Sequence, residues 1–138
     1  MHKLLLAFTA VVLLSGCSLL SNILSFDTAP FDGSEYEKIS HLRTTIALDK
    51  GKCADSTFMK TASVDINNQA FELALYSQGL PWNQDEAQME KELHQMTSEL
   101  SKRYASVNSV SAIYCADKLA ILLRTSASIQ TVIGGKQK

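Results

Sequence analysis

Apolar residues recur at steps of three and four positions through most of the chain after residue 33, a spacing that predicts amphipathic α-helices. The pattern predicts four helices, over residues 35–48, 55–78, 84–105 and 110–133. No stretch alternates polar and apolar residues for long enough to predict a strand. Because the connecting segments are short, neighbouring helices are expected to be antiparallel. The predicted fold of residues 34–138 is therefore an all-α, up-down-up-down four-helix bundle.

The third predicted helix has the clearest division into an apolar and a polar face. Its apolar positions follow one another at steps of three or four: Met89, Leu93, Met96, Leu100 and Tyr104. The other positions are mostly Glu, Lys, Gln, Ser and Thr, so that side of the helix is expected to face solvent. Glu86, Glu90 and His94 are assigned to this exposed polar face.

Capping and turn residues set the predicted helix ends. Ser34 and Asn83 are each followed three residues later by a glutamate, which is the spacing of a capping box at the start of a helix. Gly79 is expected to end the second helix as a left-handed cap. The glycine pair at 134–135 is expected to end the fourth helix and to leave residues 136–138 as a frayed basic tail.

A signal-like segment precedes the helices. His2 and Lys3 are followed by an apolar run over residues 4–14, which is the layout of a secretory signal. This run is too short to cross a bilayer stably, since a spanning helix needs about 20 apolar residues. The chain is therefore expected to be exported.

The end of this segment carries a processing motif. Leu14-Ser15-Gly16-Cys17 resembles the lipobox of bacterial lipoproteins, in which a small residue precedes an obligatory cysteine. The resemblance covers residues 1–17 only. It implies that residues 1–16 are a signal peptide and that Cys17, after cleavage, carries diacylglycerol and a fatty acyl group such as palmitate. Residues 17–33 are then interpreted as the lipidated cysteine and a flexible tether.

Charge and the residue after Cys17 narrow the expected location and partners. Without Lys3 the chain carries 12 basic and 14 acidic side chains and no evident basic patch, so nucleic acid is not an expected partner. In Gram-negative lipoproteins, an aspartate after the lipidated cysteine commonly signals retention in the inner membrane. Ser18 occupies that position here, which favours the periplasmic face of the outer membrane.

The two remaining cysteines are expected to form a disulfide. Cys53 and Cys115 belong to a chain predicted to reach the oxidising periplasm, where cysteine pairs are commonly bridged. Cys53 precedes the second predicted helix and Cys115 lies about one turn into the fourth. In the predicted topology these two helices start at the same end of the bundle. The alternative is a pair of free buried thiols.

The sequence offers little catalytic chemistry. It has no glycine-rich phosphate loop, no nucleophile elbow, no haem attachment motif and no His-Glu-x-x-His zinc motif. Two Glu-x-x-x-His pairs, Glu37 with His41 and Glu90 with His94, could together offer four ligands to zinc or copper. An exposed charge pair on a helix surface is the simpler interpretation of each. Apart from the lipid on Cys17, no metal, cofactor or catalytic residue is predicted.

These expectations favour a non-enzymatic adaptor, anchored to the membrane, that binds another envelope protein. The turn residues Leu80, Pro81 and Trp82 are candidate contacts, because a bulky aromatic side chain in a turn can anchor an interface. The polar face of the third helix is the second candidate region. The alternative function is a bundle that binds a small apolar ligand or lipid between its helices, beside the small residues of the fourth helix: Ala116, Ala120 and Ala127.

Overall fold

The structure is a computed structural model that describes residues 30–107 and 109–137 of the 138-residue chain. The predicted signal peptide, Cys17 and most of the predicted tether, residues 1–29, lie outside the described residues. The described part contains four α-helices: α1 Gly33–Lys50, α2 Ser56–Gln78, α3 Gln84–Ser106 and α4 Ala112–Gly134. A short 3₁₀ turn, Gly135–Gln137, follows α4. The predicted all-α four-helix bundle is confirmed, and no strand occurs within 30–107 and 109–137.

The helices pack in a ring in which each one contacts two neighbours. Both α1 and α3 pack against α2 and α4. The start of α1, the turn between α2 and α3 and the end of α4 therefore lie at one end of the bundle, here named the tether end. The turn between α1 and α2 and the connection between α3 and α4 lie at the opposite end.

A seven-residue repeat builds the core. In every helix the buried positions alternate at steps of four and three residues, which is the repeat that interlocks side chains between packed helices. Burial of a leucine or isoleucine side chain contributes about 1.5–3 kcal/mol, so this repeat supplies much of the drive to fold. The positions of this repeat are Glu35, Ile39, Leu42, Ile46 and Asp49 in α1; Met59, Ser63, Ile66, Ala70, Leu73 and Ser77 in α2; Glu86, Glu90, Leu93, Thr97, Leu100 and Tyr104 in α3; and Cys115, Leu119, Leu122, Ser126, Ile129 and Ile133 in α4. Ala62 and Ala74 of α2 are buried beside the repeat.

Three predicted helix ends differ in detail from the structure. Asp32, rather than Ser34, is the N-cap of α1, because its carboxylate is placed to accept a hydrogen bond from the amide of Glu35 at 2.9 Å. The side chain of Asn83 precedes α3 but makes no capping hydrogen bond. Gly79 follows α2 with φ of −77°, so the predicted left-handed cap is wrong. Its amide bonds to carbonyls of the preceding turn and continues the right-handed geometry.

The end of the bundle opposite the tether end is closed covalently. Cys53, in the turn between α1 and α2, is bonded to Cys115 in the first turn of α4, with an S–S distance of 2.05 Å and a Cα–Cα distance of 5.6 Å. The predicted disulfide is confirmed. The carboxylate of Asp55 caps α2 next to this bond by accepting from the amide of Phe58 at 2.9 Å.

The core side of α4 is rotated from the predicted one. Ile113 shares the helical face of the predicted small residues Ala116, Ala120 and Ala127 but is 77% exposed. Ala116, Ala120 and Ala127 are half-buried at the edge of the core, because the buried repeat of α4 starts at Cys115. Although α4 is rich in apolar residues, neither it nor another helix of the described part is long and apolar enough to span a membrane.

Candidate functional site

The turn between α2 and α3 presents an aromatic side chain to solvent at the tether end. Trp82 is 57% exposed, Pro81 is also exposed and Leu80 is half-buried. The turn is held by backbone hydrogen bonds from the amide of Leu80 to Ser77 and from that of Asn83 to Leu80, at 3.0 and 3.2 Å. Trp82 is therefore displayed by an ordered turn.

Glu86 and Glu90 are buried, which corrects their assignment to an exposed polar face. Glu86 is 1% exposed and Glu90 is 0% exposed. Both occupy the inward repeat of α3 that continues through Leu93. Met89, which was expected in the core, lies half-buried beside this repeat. Neither glutamate can contact a partner while the bundle is closed.

The buried glutamates belong to a polar cluster at the tether end, here named the end layer: Glu35, Ser77, Asn83, Glu86, Glu90 and Lys136. Asn83 connects several of these residues. Its Nδ2 donates hydrogen bonds to the Glu35 carboxylate and to Ser77 Oγ, the latter at 2.8 Å. This contact explains why Asn83 does not cap α3. The end layer takes residues from α1, α2 and α3, from the turn between α2 and α3, and from the 3₁₀ turn after α4.

Lys136 closes the end layer from the C-terminal side. Its ammonium lies 2.5 Å from Glu86 Oε1 and donates to Asn83 Oδ1 at 3.3 Å. The side chain is only 11% exposed, so the predicted frayed tail is wrong at this residue. Gly134 allows the close approach of α4 to α1, since a Cβ atom there would lie 3.2 Å from the ring of Tyr36.

Three carboxyl groups face one ammonium in the end layer. Neither oxygen of Glu90 has a hydrogen-bond partner in the described structure, and Oε2 of Glu86 also lacks one. Burial, followed by repulsion from Glu35, raises the pKa of Glu90 to about 9, although the side chain of Ser77 lowers this pKa. Burial also raises the pKa of Glu35, against the effect of its hydrogen bonds with Ser77 and Asn83. Burial and the neighbouring carboxyl groups therefore favour the protonated form of Glu90.

His94 contributes to a second feature, an apolar surface on the α2–α3 hairpin. Its ring packs against that of Phe71, with centroids 5.1 Å apart. Phe71 and Leu75 lie one turn apart on α2 and are 46% and 52% exposed. Phe71, Leu75, Trp82 and His94 are together named the hairpin surface. Trp82 and His94 were among the predicted contacts, whereas the two α2 residues were not, although their four-residue spacing outside the core repeat is a usable signal.

The grooves on the bundle offer little to an apolar ligand. One open groove of about 450 Å³ between α1 and α2 is lined by polar residues: Ser34, Glu37, Lys38, His41, Gln69 and Glu72. A second open groove, near the disulfide, has about 830 Å³ and includes Phe58 and Ala62 among acidic and threonine side chains. Ligand pockets are usually enclosed and apolar with a few converging polar groups. The first groove is polar, and the second, although its lining is mainly apolar, is open to solvent.

The two Glu-x-x-x-His pairs do not converge on one point. His41 is exposed on α1 and its Nδ1 lies 3.0 Å from Gln69 Oε1 of α2. Glu90 is enclosed in the end layer, and His94 packs on Phe71. Within residues 30–107 and 109–137, no group of three His, Cys, Asp or Glu side chains is arranged to hold a metal ion.

Similarity to known proteins identifies neither the end layer nor the hairpin surface as a functional site. Comparison with protein-family models, with curated proteins and with solved structures finds no match to this chain. The candidate sites are therefore the end layer and the hairpin surface, defined by their own chemistry. The end layer is enclosed, whereas the hairpin surface is open to solvent and can meet a partner without rearrangement of the bundle.

Proposed function

We propose that this chain is a lipid-anchored lipoprotein of the bacterial envelope, and that its helical bundle binds another envelope protein without catalysing a reaction. The lipid anchor is proposed from the lipobox resemblance at Cys17, and the outer membrane from Ser18. The observation that carries the binding role is the hairpin surface. Exposed aromatic side chains are enriched among the residues that dominate protein interfaces.

The position of this surface supports a partner at the membrane. The described chain enters the bundle at the tether end, where Trp82 also lies. Residues 18–29, between Cys17 and the described part, reach at most about 40 Å when extended. Trp82 would therefore be held near the lipid surface, within reach of a membrane-bound protein. The alternative of an apolar-ligand carrier has less support, because the groove between α1 and α2 is polar and the larger groove near the disulfide is open to solvent.

In-cell crosslinking followed by mass identification tests the binding role. We expect the native chain to capture one specific envelope protein and Trp82→Ala to capture much less of it, since loss of an interface tryptophan costs about 2 kcal/mol or more, roughly 30-fold in affinity. The matched control is Leu48→Ala, because Leu48 is 66% exposed near the opposite end of the bundle. Equal capture by both variants would exclude Trp82 as a contact residue. Empty captures from the native chain would contradict the adaptor role.

Membrane fractionation tests the anchor separately. Cys17→Ala removes the proposed lipid attachment, so this variant should move from the membrane to the soluble fraction. Several buried acyl methylenes hold a protein on a bilayer, each contributing about 0.8 kcal/mol. Persistent membrane association of Cys17→Ala would mean that a contact other than lipid retains the chain.

A further inference from the structure

The end layer contains more buried carboxyl groups than ammonium groups to balance their charge. Glu35 of α1 and Glu86 and Glu90 of α3 are each at most 2% exposed. The ammonium of Lys136, from the turn after α4, contacts Glu86. The member from α2, Ser77, does not titrate. If all three carboxyl groups were ionised, they would share one cationic neighbour among the residues that the structure describes, in a buried region.

Glu90 is the member least compatible with a negative charge. Both of its oxygens lack a hydrogen-bond partner within the described part of the chain, whereas Glu35 is bonded to Asn83 and Glu86 to Lys136. A buried carboxylate without compensation is so costly that the group takes up a proton instead. The pKa of Glu90, about 9, agrees with this geometric argument.

We propose that the end layer is a proton-dependent closure of the tether end. With a proton on Glu90, the α2–α3 turn and the C-terminal 3₁₀ turn pack onto the bundle. Loss of that proton separates these two turns from the bundle and admits water to the three glutamates. The inference goes beyond the proposed function, since it concerns the closure itself and holds whether or not a partner binds the hairpin surface.

The direction of the pH effect follows from proton binding. When the tether end opens, Glu90 becomes hydrated and returns to its ordinary pKa of about 4.5, below that of the closed state. Between these two pKa values the closed state binds one more proton than the open state. Raising the pH in this range therefore favours opening, by up to about tenfold per pH unit. Below the pKa of Glu90 in the open state, lowering the pH stabilises the closed state no further. Above its pKa in the closed state, raising the pH favours opening no further.

Amide hydrogen exchange of the full chain, purified in detergent, measures this opening. The variants are Glu90→Gln, a neutral side chain of similar shape, and the matched control Glu92→Gln, since Glu92 is exposed on the same helix. Exchange rates are compared between variants at the same pH, so that the chemical effect of pH cancels. From about pH 6 to about pH 8, native protein and Glu92→Gln should lose about 100-fold more protection than Glu90→Gln in peptides covering residues 77–90 and 133–137. Peptides around Cys53 should not differ.

Three results would overturn the proposal. The first is equal loss of protection at the tether end in all three proteins. The second is restoration of protection by millimolar Mg²⁺ or Ca²⁺ in place of acid, since the end layer would then be a cation site. The third comes from the native protein alone and covers the case in which Glu90→Gln does not fold. Its infrared spectrum should lose a protonated-carboxyl band between about pH 7 and about pH 11, and a spectrum without this band at neutral pH would show that Glu90 is ionised.

Discussion

The disulfide should account for a large part of the stability of this small domain. The bond between Cys53 and Cys115 joins residues 62 positions apart. In the chain-entropy model, closing a loop of this length removes about 14 cal/mol/K from the unfolded chain, which corresponds to about 4 kcal/mol at 25 °C. Domains of this size are stable by only about 5–15 kcal/mol in total. Opening the bond is therefore expected to bring the bundle close to unfolding at physiological temperature.

Urea unfolding of the full chain, followed by circular dichroism, measures this contribution with and without a thiol reductant. The double variant Cys53→Ala/Cys115→Ala is the control, because both side chains are buried and their replacement changes packing as well as the bond. Reductant should lower the unfolding free energy of the native chain by about 4 kcal/mol and leave that of the double variant unchanged. A decrease of less than about 1 kcal/mol in the native chain would refute the reasoning, since the unfolded chain would then gain little freedom.

Two further predictions concern buried polar groups. Lys136→Met leaves Glu86 without its ammonium in a buried site, so urea unfolding should show a loss of about 3 kcal/mol. The control Lys102→Met removes an exposed lysine and should change stability by less than about 0.5 kcal/mol; equal effects would contradict the buried ion pair. The hydroxyl of Tyr104 is buried with no hydrogen-bond partner among the described residues, and such a group costs about 1–3 kcal/mol. Tyr104→Phe should therefore be at least as stable as the native chain, whereas a loss above about 1 kcal/mol would indicate a partner for the hydroxyl.

Local pattern was enough to predict the architecture. All four helices begin and end within about two residues of their predicted limits, because periodicity and short polar turns are local properties of the sequence. The bond between Cys53 and Cys115 followed from combining two independent expectations, an exported chain and antiparallel helices. Export predicts that the thiols are oxidised, and the antiparallel topology places them at one end of the bundle, where the structure has them.

The end layer could not be predicted by assigning polar residues to solvent. On α3 the apolar face expected from Met89, Leu93 and Met96 is about one position away from the side that is buried. Seven-residue steps back from Leu100 reach Leu93 and Glu86, and those from Tyr104 reach Thr97 and Glu90, so this reading would have included both glutamates. The choice between these readings depends on which side of α3 meets α2 and α4, and that is a tertiary property. The burial of Lys136 was missed because its carboxylate partner lies 50 positions earlier in the chain.

The position of the disulfide also limits how far the domain can be stretched. A force applied between the tether and the C-terminus would enter through α1 and leave through α4. Because the bond joins the end of α1 to the start of α4, the 62-residue interval between the cysteines lies outside the load path. That interval contains α2 and α3 and would otherwise contribute about 210 Å of extended chain. In single-molecule pulling, the oxidised domain should therefore lengthen only through the segments before Cys53 and after Cys115, and reduction should add the missing length.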